Sequence, residues 1–548
     1  MKYQVCPWQL LIKKRRGVIR MDLMEIPDQF NIVSYMLDRH IEENRGNCAA
    51  IYFKDQVVTW SQVEQQANRV GNALLNLGVE QENRVMICLP DCPEFISSYY
   101  GIIKTGAVAV PVNTMALPTD YLYYLNDSRA KVLITNSDLA PIFTKLLDEL
   151  KYLKQLVVIG ETQPGQISFN DITSEASPKL TAAATSKDDM AFWLYSSGTT
   201  GTPKGVVHLH HDILHTMPPH STEVMGITPE DISFSISKLY FSYGRNNSLD
   251  SPSLQGSAVV LSPEKPDPEV VMDTIEKYRP TLFYGVPSFY SALLNFMEKT
   301  GRKLDLSSVR LCVSAGEALP KVIYDKWREL FNVEILDGVG STDVGMIYLS
   351  NRPGNVRHGS CGKLLTGFEG KLLDADGADV AVGDIGTMWV KNDGTTSCYW
   401  NKHDKTKQTI HGEWFCTGDQ FYQDKDGYYW YAGRDDDMLK PGGLWLSPME
   451  IEDVLLEHLL VDEVAVVAEG NEAGLDKPVA FVVLKDGCEP TPDMEKELSD
   501  FVRSKAAHYK CPRKIYFVDE LPRTVTGKVQ RYKLRAKLMH ERESQAVE

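Results

Sequence analysis

At 548 residues the chain is too long for one ordinary core, so about two to four domains are expected. Apolar residues make up 43% and charged residues 24%, the balance of a soluble globular protein, and no apolar run reaches the roughly 18 residues that a membrane-spanning helix needs. A formal net charge of -16 excludes a wide basic surface for nucleic acid or anionic lipid and leaves room only for a local basic pocket.

Residues 1–20, "MKYQVCPWQLLIKKRRGVIR", precede a second methionine, Met21. Their basic cluster, Lys13 to Arg16, follows the apolar part, the reverse of a secretory signal. A disordered extension is expected, with a functional basic arm as the alternative. Short apolar runs then alternate with helical patterns. "TWSQVEQQANRVGNALLNLG" has apolar residues at helical spacing, and "RVMICLP", "GAVAVPVN", "KVLIT" and "QLVVIG" read as buried strands. A second series follows in "MAFWLYSS", "GSAVVLS", "PTLFYGVP" and "VRLCVSAGE". Strand–helix units without a tandem repeat imply α/β layers. From about Gly359 to Arg434 glycine turns punctuate short strands, as a small antiparallel β unit requires. The remaining stretch holds two helical patterns, "SPMEIEDVLLEH" and "PDMEKELSDFVRSKA", and two strand patterns, "VDEVAVVAE" and "KPVAFVVLK", enough for a compact α+β domain. The ten cysteines show no CxxC pair and no neighbouring histidine cluster that would complete a zinc site, so they read as reduced thiols of a cytoplasmic protein.

"YSSGTTGTPKG", Tyr195 to Gly205, has the chemistry of a phosphate loop. A Walker A loop requires GxxxxGK[ST], but here Pro203 stands at the second glycine and Gly205 at the hydroxyl position that would hold magnesium. A P-loop kinase or ATPase is therefore excluded. Gly198 and Gly201 still free the backbone to turn its N–H groups inward. Ser196, Ser197, Thr199, Thr200 and Thr202 add hydroxyls, and Lys204 adds charge, which together suit a polyphosphate.

The stretch resembles the phosphate-loop signature of the adenylate-forming superfamily, which contains acyl-CoA synthetases, adenylation domains of peptide synthetases and luciferases. The resemblance extends from about Met21 to Lys537, because further signatures follow in order. "SAGEALP" resembles the adenine-side loop, which implies that Gly316, Glu317 and Ala318 pack against the purine. "DGVGSTD" resembles the YGxTE signature. By that resemblance Asp337 and Gly338 lie at the adenine, with Asp337 accepting from its amino group, and Thr342 contacts phosphate. The family's magnesium-binding glutamate is Asp343 here, one methylene shorter, and its usual tyrosine is Val339. "EWFCTGD" implies Asp419 as the ribose carboxylate, with Arg434 nearby. Asp436 matches the hinge position, and Gly442–Gly443 would be the bare backbone beside the entry of coenzyme A, or a plain turn. "LPRTVTGKVQRYKLR" resembles the C-terminal lysine signature and makes Lys528 the catalytic lysine.

The resemblance implies an N-terminal adenylate-forming domain over 21–435 and a mobile C-terminal lid over 436–548. It implies an ATP- and Mg2+-dependent ligase that joins a carboxylic acid to coenzyme A through an acyl-adenylate, with Lys528, Thr342 and Asp343 as catalytic residues. A homodimer is a further expectation. Loading of a carrier-protein phosphopantetheine is the alternative acceptor, and an inactive ligand-binding member of the fold is the alternative class. "GVVHLHHDIL", "KLYFSYGRNNS" and "LKPGGLWLSPMEIE" resemble benzoate-CoA ligases most, which implies a compact or aryl acid. Ser242, Tyr243, Gly244, Arg245 and His208 are the candidate acid-binding residues. Arg245 either faces solvent or pairs with a second anionic group of the substrate, in which case a small dianion replaces benzoate.

Overall fold

Thr59 starts the helix Trp60–Asn76 with a capping box: its hydroxyl accepts from the Gln62 N–H, and the Gln62 side chain accepts from the Thr59 N–H. One face of this helix is apolar and buried, whereas the helix Pro93–Lys104 is buried on nearly every side. The two helices cross closely because Gly101 faces Ala67; a Cβ on Gly101 would come within 2.6 Å of the Ala67 carbonyl oxygen. The computed structural model describes residues 26–196, 202–438, 446–469, 477–485, 487–505, 510–523 and 529–538. The extension expected over 1–20, the glycines Gly442 and Gly443, and Lys528 lie outside them, and of Asp436 only the backbone is described.

Two large sheets form the N-terminal part. The first has nine strands in the spatial order Lys363–Leu364, Ile347–Ser350, Ile335–Gly340, Leu311–Ala315, Leu282–Gly285, Ile232–Ser235, Ala258–Leu261, Ala49–Phe53 and Gln56–Thr59. Its central strands run parallel and its outer pairs antiparallel. The second has eight, in the order Cys398–Tyr399, Lys204–Leu209, Met190–Ser196, Val108–Pro111, Arg84–Cys88, Val132–Asn136, Gln155–Ile159 and Ile167–Ser168. Side chains alternate across its strands as the pleat demands: Val85 and Ile87 enter the core shared by both sheets, while Met86 and Cys88 pack on the opposite face. The inner core also holds Val259, Val313 and Leu336 from the nine-stranded sheet. Helices Pro268–Tyr278, Pro287–Thr300 and Lys321–Phe331 cover that sheet's outer face. The result is the expected set of α/β layers.

The β unit expected from about Gly359 to Arg434 is an antiparallel sheet of Glu369–Leu373, Gly386–Lys391, Trp414–Gln423, Ile410–His411 and Tyr429–Arg434. After the short 3-10 turn Asp435–Asp437 comes a small α+β unit. Its sheet, Val461–Glu469, Lys477–Leu484 and Lys514–Phe517, has its own apolar core on each face. Among the described residues no helix is long and apolar enough to cross a membrane.

Candidate active site

The phosphate loop joins two neighbouring antiparallel strands. Met190–Ser196 leads in and Lys204–Leu209 leads out, with Ser196 opposite Lys204 and Tyr195 opposite Gly205. A Walker A loop joins a strand to a helix, so the topology agrees with the failed spacing. Ser197, Gly198, Thr199 and Thr200 lie outside the described residues, but both ends of the loop are tied to the helix Pro118–Ser128. Tyr195 donates to Asp127 Oδ2 at 2.7 Å, and Tyr123 donates to the Pro203 carbonyl at 2.7 Å. Trp400 Nε1 donates to the Asp127 carbonyl at 2.9 Å. Nothing in the sequence singled out Tyr123 or Asp127, which sit about 70 to 80 positions before the residues they hold.

Asp343 gathers three parts of the chain. Lys204 Nζ reaches its Oδ1 at 2.8 Å, and the Tyr399 hydroxyl donates to the same oxygen at 2.7 Å. The Lys204 ammonium also lies 3.9 Å from the centre of the Tyr399 ring. Burial alone would raise the Asp343 pKa, yet the charge of Lys204 and both hydrogen bonds hold it below the usual carboxylate range. The group is thus an ionised oxygen donor, the kind a hard cation prefers. No cluster of three or more His, Cys, Asp or Glu side chains suited to a metal exists among the described residues. A cation held by one carboxylate, with water and ATP phosphate completing its shell, fits this donor set.

His208 lies on the strand that leaves the phosphate loop. Its Nε2 meets the Thr342 carbonyl at 2.7 Å and its Nδ1 meets Asp212 Oδ2 at 2.8 Å. The ring is thus fixed from both sides, between a carbonyl and a carboxylate. Asp212 lies four residues on from His208, a spacing that offered a signal in the sequence. Phe192 stacks on His208 at 5.0 Å, and the Arg245 guanidinium lies 3.9 Å from the Phe192 ring centre.

The expectation for Arg245 needs correction. It is 1% exposed, and its charge meets Asp250, not a free surface: Nε donates to Asp250 Oδ2 at 2.8 Å. Nη2 donates to Asn246 Oδ1 at 2.9 Å, and Asn246 in turn donates to the Gly345 carbonyl at 2.8 Å. The chain here forms the turn Ser242–Arg245 and then the π-helical turn Asn246–Asp250. The wider π turn returns the fifth residue to the same side, which lets Arg245 reach Asp250. Arg245 Nη1 is buried without a hydrogen-bond partner among the described residues. Gly244 answers a backbone need, because a Cβ there would come within 2.1 Å of the Lys238 carbonyl oxygen. Ser242 begins the turn half-buried, and Tyr243 donates to the Val313 carbonyl at 3.2 Å.

On the adenine side, Ser314 and Asp337 are direct cross-strand partners, so the loop of Gly316, Glu317 and Ala318 emerges beside Asp337. Gly316 takes φ +97°, open to glycine at little cost. Gly338, next on the strand, leaves room for the Leu349 carbonyl, which a Cβ would approach to 3.0 Å. Asp337 is buried, and burial pushes it up to about 8. Its Oδ1 is buried without a hydrogen-bond partner among the described residues, an acceptor open to an amino group. On the ribose side, Asp419 and Arg434 are also direct cross-strand partners. Arg434 Nη1 donates to Asp419 Oδ1 at 2.9 Å and to the Thr417 carbonyl at 3.2 Å. Tyr431, absent from the sequence reading, donates to Asp419 at 3.5 Å.

The C-terminal unit reaches the adenine-side loop. Arg523, five residues before Lys528, lies 3.8 Å from Glu317 of the adenine-side loop and 2.9 Å from Glu463. Arg535 pairs with Asp437 at 2.5 Å, beside the hinge position.

Two family models match the chain: AMP-binding enzyme over residues 37–400, and AMP-binding enzyme C-terminal domain over residues 450–528. The chain belongs to the AMP-binding enzyme family. It is 39% identical to the benzoate–CoA ligase of Thauera aromatica over 518 residues, covering 94% of this chain and 97% of that one. It is 37% identical to the 4-hydroxybenzoate–CoA/benzoate–CoA ligase of Rhodopseudomonas palustris, covering 92% and 94%. A solved anthranilate CoA ligase in complex with anthranoyl-AMP superposes with a TM-score of 0.91 at 41% identity, covering 95% of this chain and all of that one. A benzoate CoA ligase from Burkholderia xenovorans gives 0.84 at 38% identity, covering 92% and 100%. The enzyme is an AMP-forming acid–thiol ligase that uses ATP and coenzyme A and passes through an acyl-adenylate.

Proposed function

We propose that the acid is a compact aryl carboxylate with one negative charge, activated on the N-terminal domain and carried to coenzyme A after the C-terminal domain turns about Asp436. The observation that carries the substrate class is the buried Arg245–Asp250 pair, in which a carboxylate of the protein itself stands against the acid-side guanidinium. Relatives named for benzoate, hydroxybenzoate and anthranilate support it.

In this reading the loop from Ser196 to Lys204 holds the β- and γ-phosphates that leave. Asp337 accepts from the adenine amino group, and Asp419 with Arg434 holds the ribose. Lys528 sits between the acid carboxylate and the α-phosphate and neutralises the charge that gathers there during attack. Magnesium, when bound at Asp343, supplies positive charge to the phosphates. Thr342 contacts the α-phosphate through its side chain, while His208 holds its carbonyl. The separate apolar cores of the C-terminal unit support a domain boundary at 435/436 and a rigid-body turn. That turn would remove Lys528 and bring Gly442–Gly443 to the thiol path. The nine free thiols of the described residues suit a reducing, cytoplasmic setting, and a homodimer, tested by light scattering, belongs to the same reading.

The test is pyrophosphate release with a panel of acids. Benzoate, hydroxybenzoates and 2-aminobenzoate are expected to outpace sulfobenzoate and aliphatic dicarboxylates. A preference for the doubly charged acids would overturn the substrate class. Thioester formation with free coenzyme A separates this enzyme from one that loads a carrier protein.

A further inference from the structure

Tyr399 has no role in the preceding scheme, yet it touches both charged groups at the phosphate site. It is 2% exposed and lies on the short strand Cys398–Tyr399, paired with Val206 of the strand that leaves the phosphate loop. Its hydroxyl and the Lys204 ammonium both hydrogen-bond the same oxygen, Asp343 Oδ1. The Asp343 main chain is held from the same segment, because the Thr396 N–H donates to the Asp343 carbonyl at 2.7 Å. An aspartate is one methylene shorter than a glutamate and gains a fixed direction here from two donors on one oxygen.

We propose that Tyr399 is a positioning residue for the cation that accompanies ATP: its hydroxyl turns the short Asp343 carboxylate so that Oδ2 faces the metal. The proposal rests on the ligase reading for the presence of ATP at this site. Carboxylates that ligate metals are commonly oriented by a second hydrogen bond, whose loss weakens metal binding about 10- to 100-fold. The Tyr399 ring separately supports Lys204, so Tyr399→Phe removes the hydroxyl alone and keeps the surface under the ammonium.

The experiment measures Mn2+ binding by electron paramagnetic resonance to the full-length enzyme with α,β-methylene-ATP, which needs no acid. Tyr399→Phe is expected to weaken Mn2+ binding about tenfold or more. AMP binding measured in EDTA is expected to stay unchanged. A second variant guards against a folding defect. Asp343→Glu restores reach, so adding Tyr399→Phe to it is expected to cost less than threefold in Mn2+ affinity. Unchanged Mn2+ affinity in Tyr399→Phe, or the same loss in the Asp343→Glu background, would overturn the proposal. Absence of pyrophosphate release with every acid, with Mn2+ and nucleotide binding intact, would instead count against the ligase reading.

Discussion

Replacing Arg245 with methionine separates a structural guanidinium from a substrate-binding one. The side chains of Arg245 and Asp250 are 1% and 0% exposed, and Arg245 is the one hydrogen-bond partner of the Asp250 carboxylate among the described residues. Burial already raises the Asp250 pKa, and the charge of Arg245 opposes that rise. Arg245→Met leaves a buried carboxylate without its cation, which costs about 3–5 kcal/mol. The double variant R245M/D250L removes both charges and is expected to recover most of that loss, because a well-packed apolar pair commonly matches a buried ion pair. The assay is urea unfolding of both variants, followed by tryptophan fluorescence, with Trp193, whose ring lies 4.5 Å from that of Trp400, as a reporter. The ratio of benzoate to sulfobenzoate turnover is expected to hold in the double variant. A stable Arg245→Met enzyme that loses turnover of doubly charged acids alone would refute the reasoning.

Asp337 carries a pH signature. Burial raises its pKa from the ordinary 3.8 to about 8, so the folded protein keeps the proton over that span while the unfolded chain loses it. Stability therefore falls as pH rises from about 4 to 8, and Asp337→Asn is expected to flatten that slope, seen as a smaller difference in urea midpoint between the two pH values. The amide oxygen still accepts, so the KM for ATP in Asp337→Asn should stay within a few-fold; Asp337→Leu should raise it about tenfold, the cost of one lost hydrogen bond. Lys528→Ala is expected to abolish pyrophosphate release while leaving thioester formation from a synthetic acyl-adenylate, and Asp436→Pro to do the reverse. Equal loss of both half-reactions in both variants would refute a two-position C-terminal domain.

Local chemistry made much of the site legible. Turn-rich loops lie next to the strands that carry them, so "YSSGTTGTPKG" was legible as a loop after a strand, as was "SAGEALP". Asp419 and Arg434 stand opposite each other because the antiparallel register of two recognisable strands requires it. The Arg245–Asp250 pair escaped because a spacing of five faces different sides of an α-helix. Only the π turn, formed where Gly244 backs tightly onto Lys238, brings the two together. Tyr399 escaped for another reason: its partners, Asp343 and Lys204, are 56 and 195 positions distant.

The sequence by itself determined the kinds of element, their order, the division into a large α/β part and a small α+β part, and the reaction class. Those properties follow from hydrophobic period, turn residues and contiguous motifs, all of which act over a few residues. Tertiary structure alone decided which charges are spent. Whether Lys204, Asp343 and Arg245 meet substrate, metal or one another depends on contacts across sheets, and a buried charge takes whatever partner the packing sets beside it. Here packing gave Arg245 an internal carboxylate and gave Asp343 both a lysine and a tyrosine.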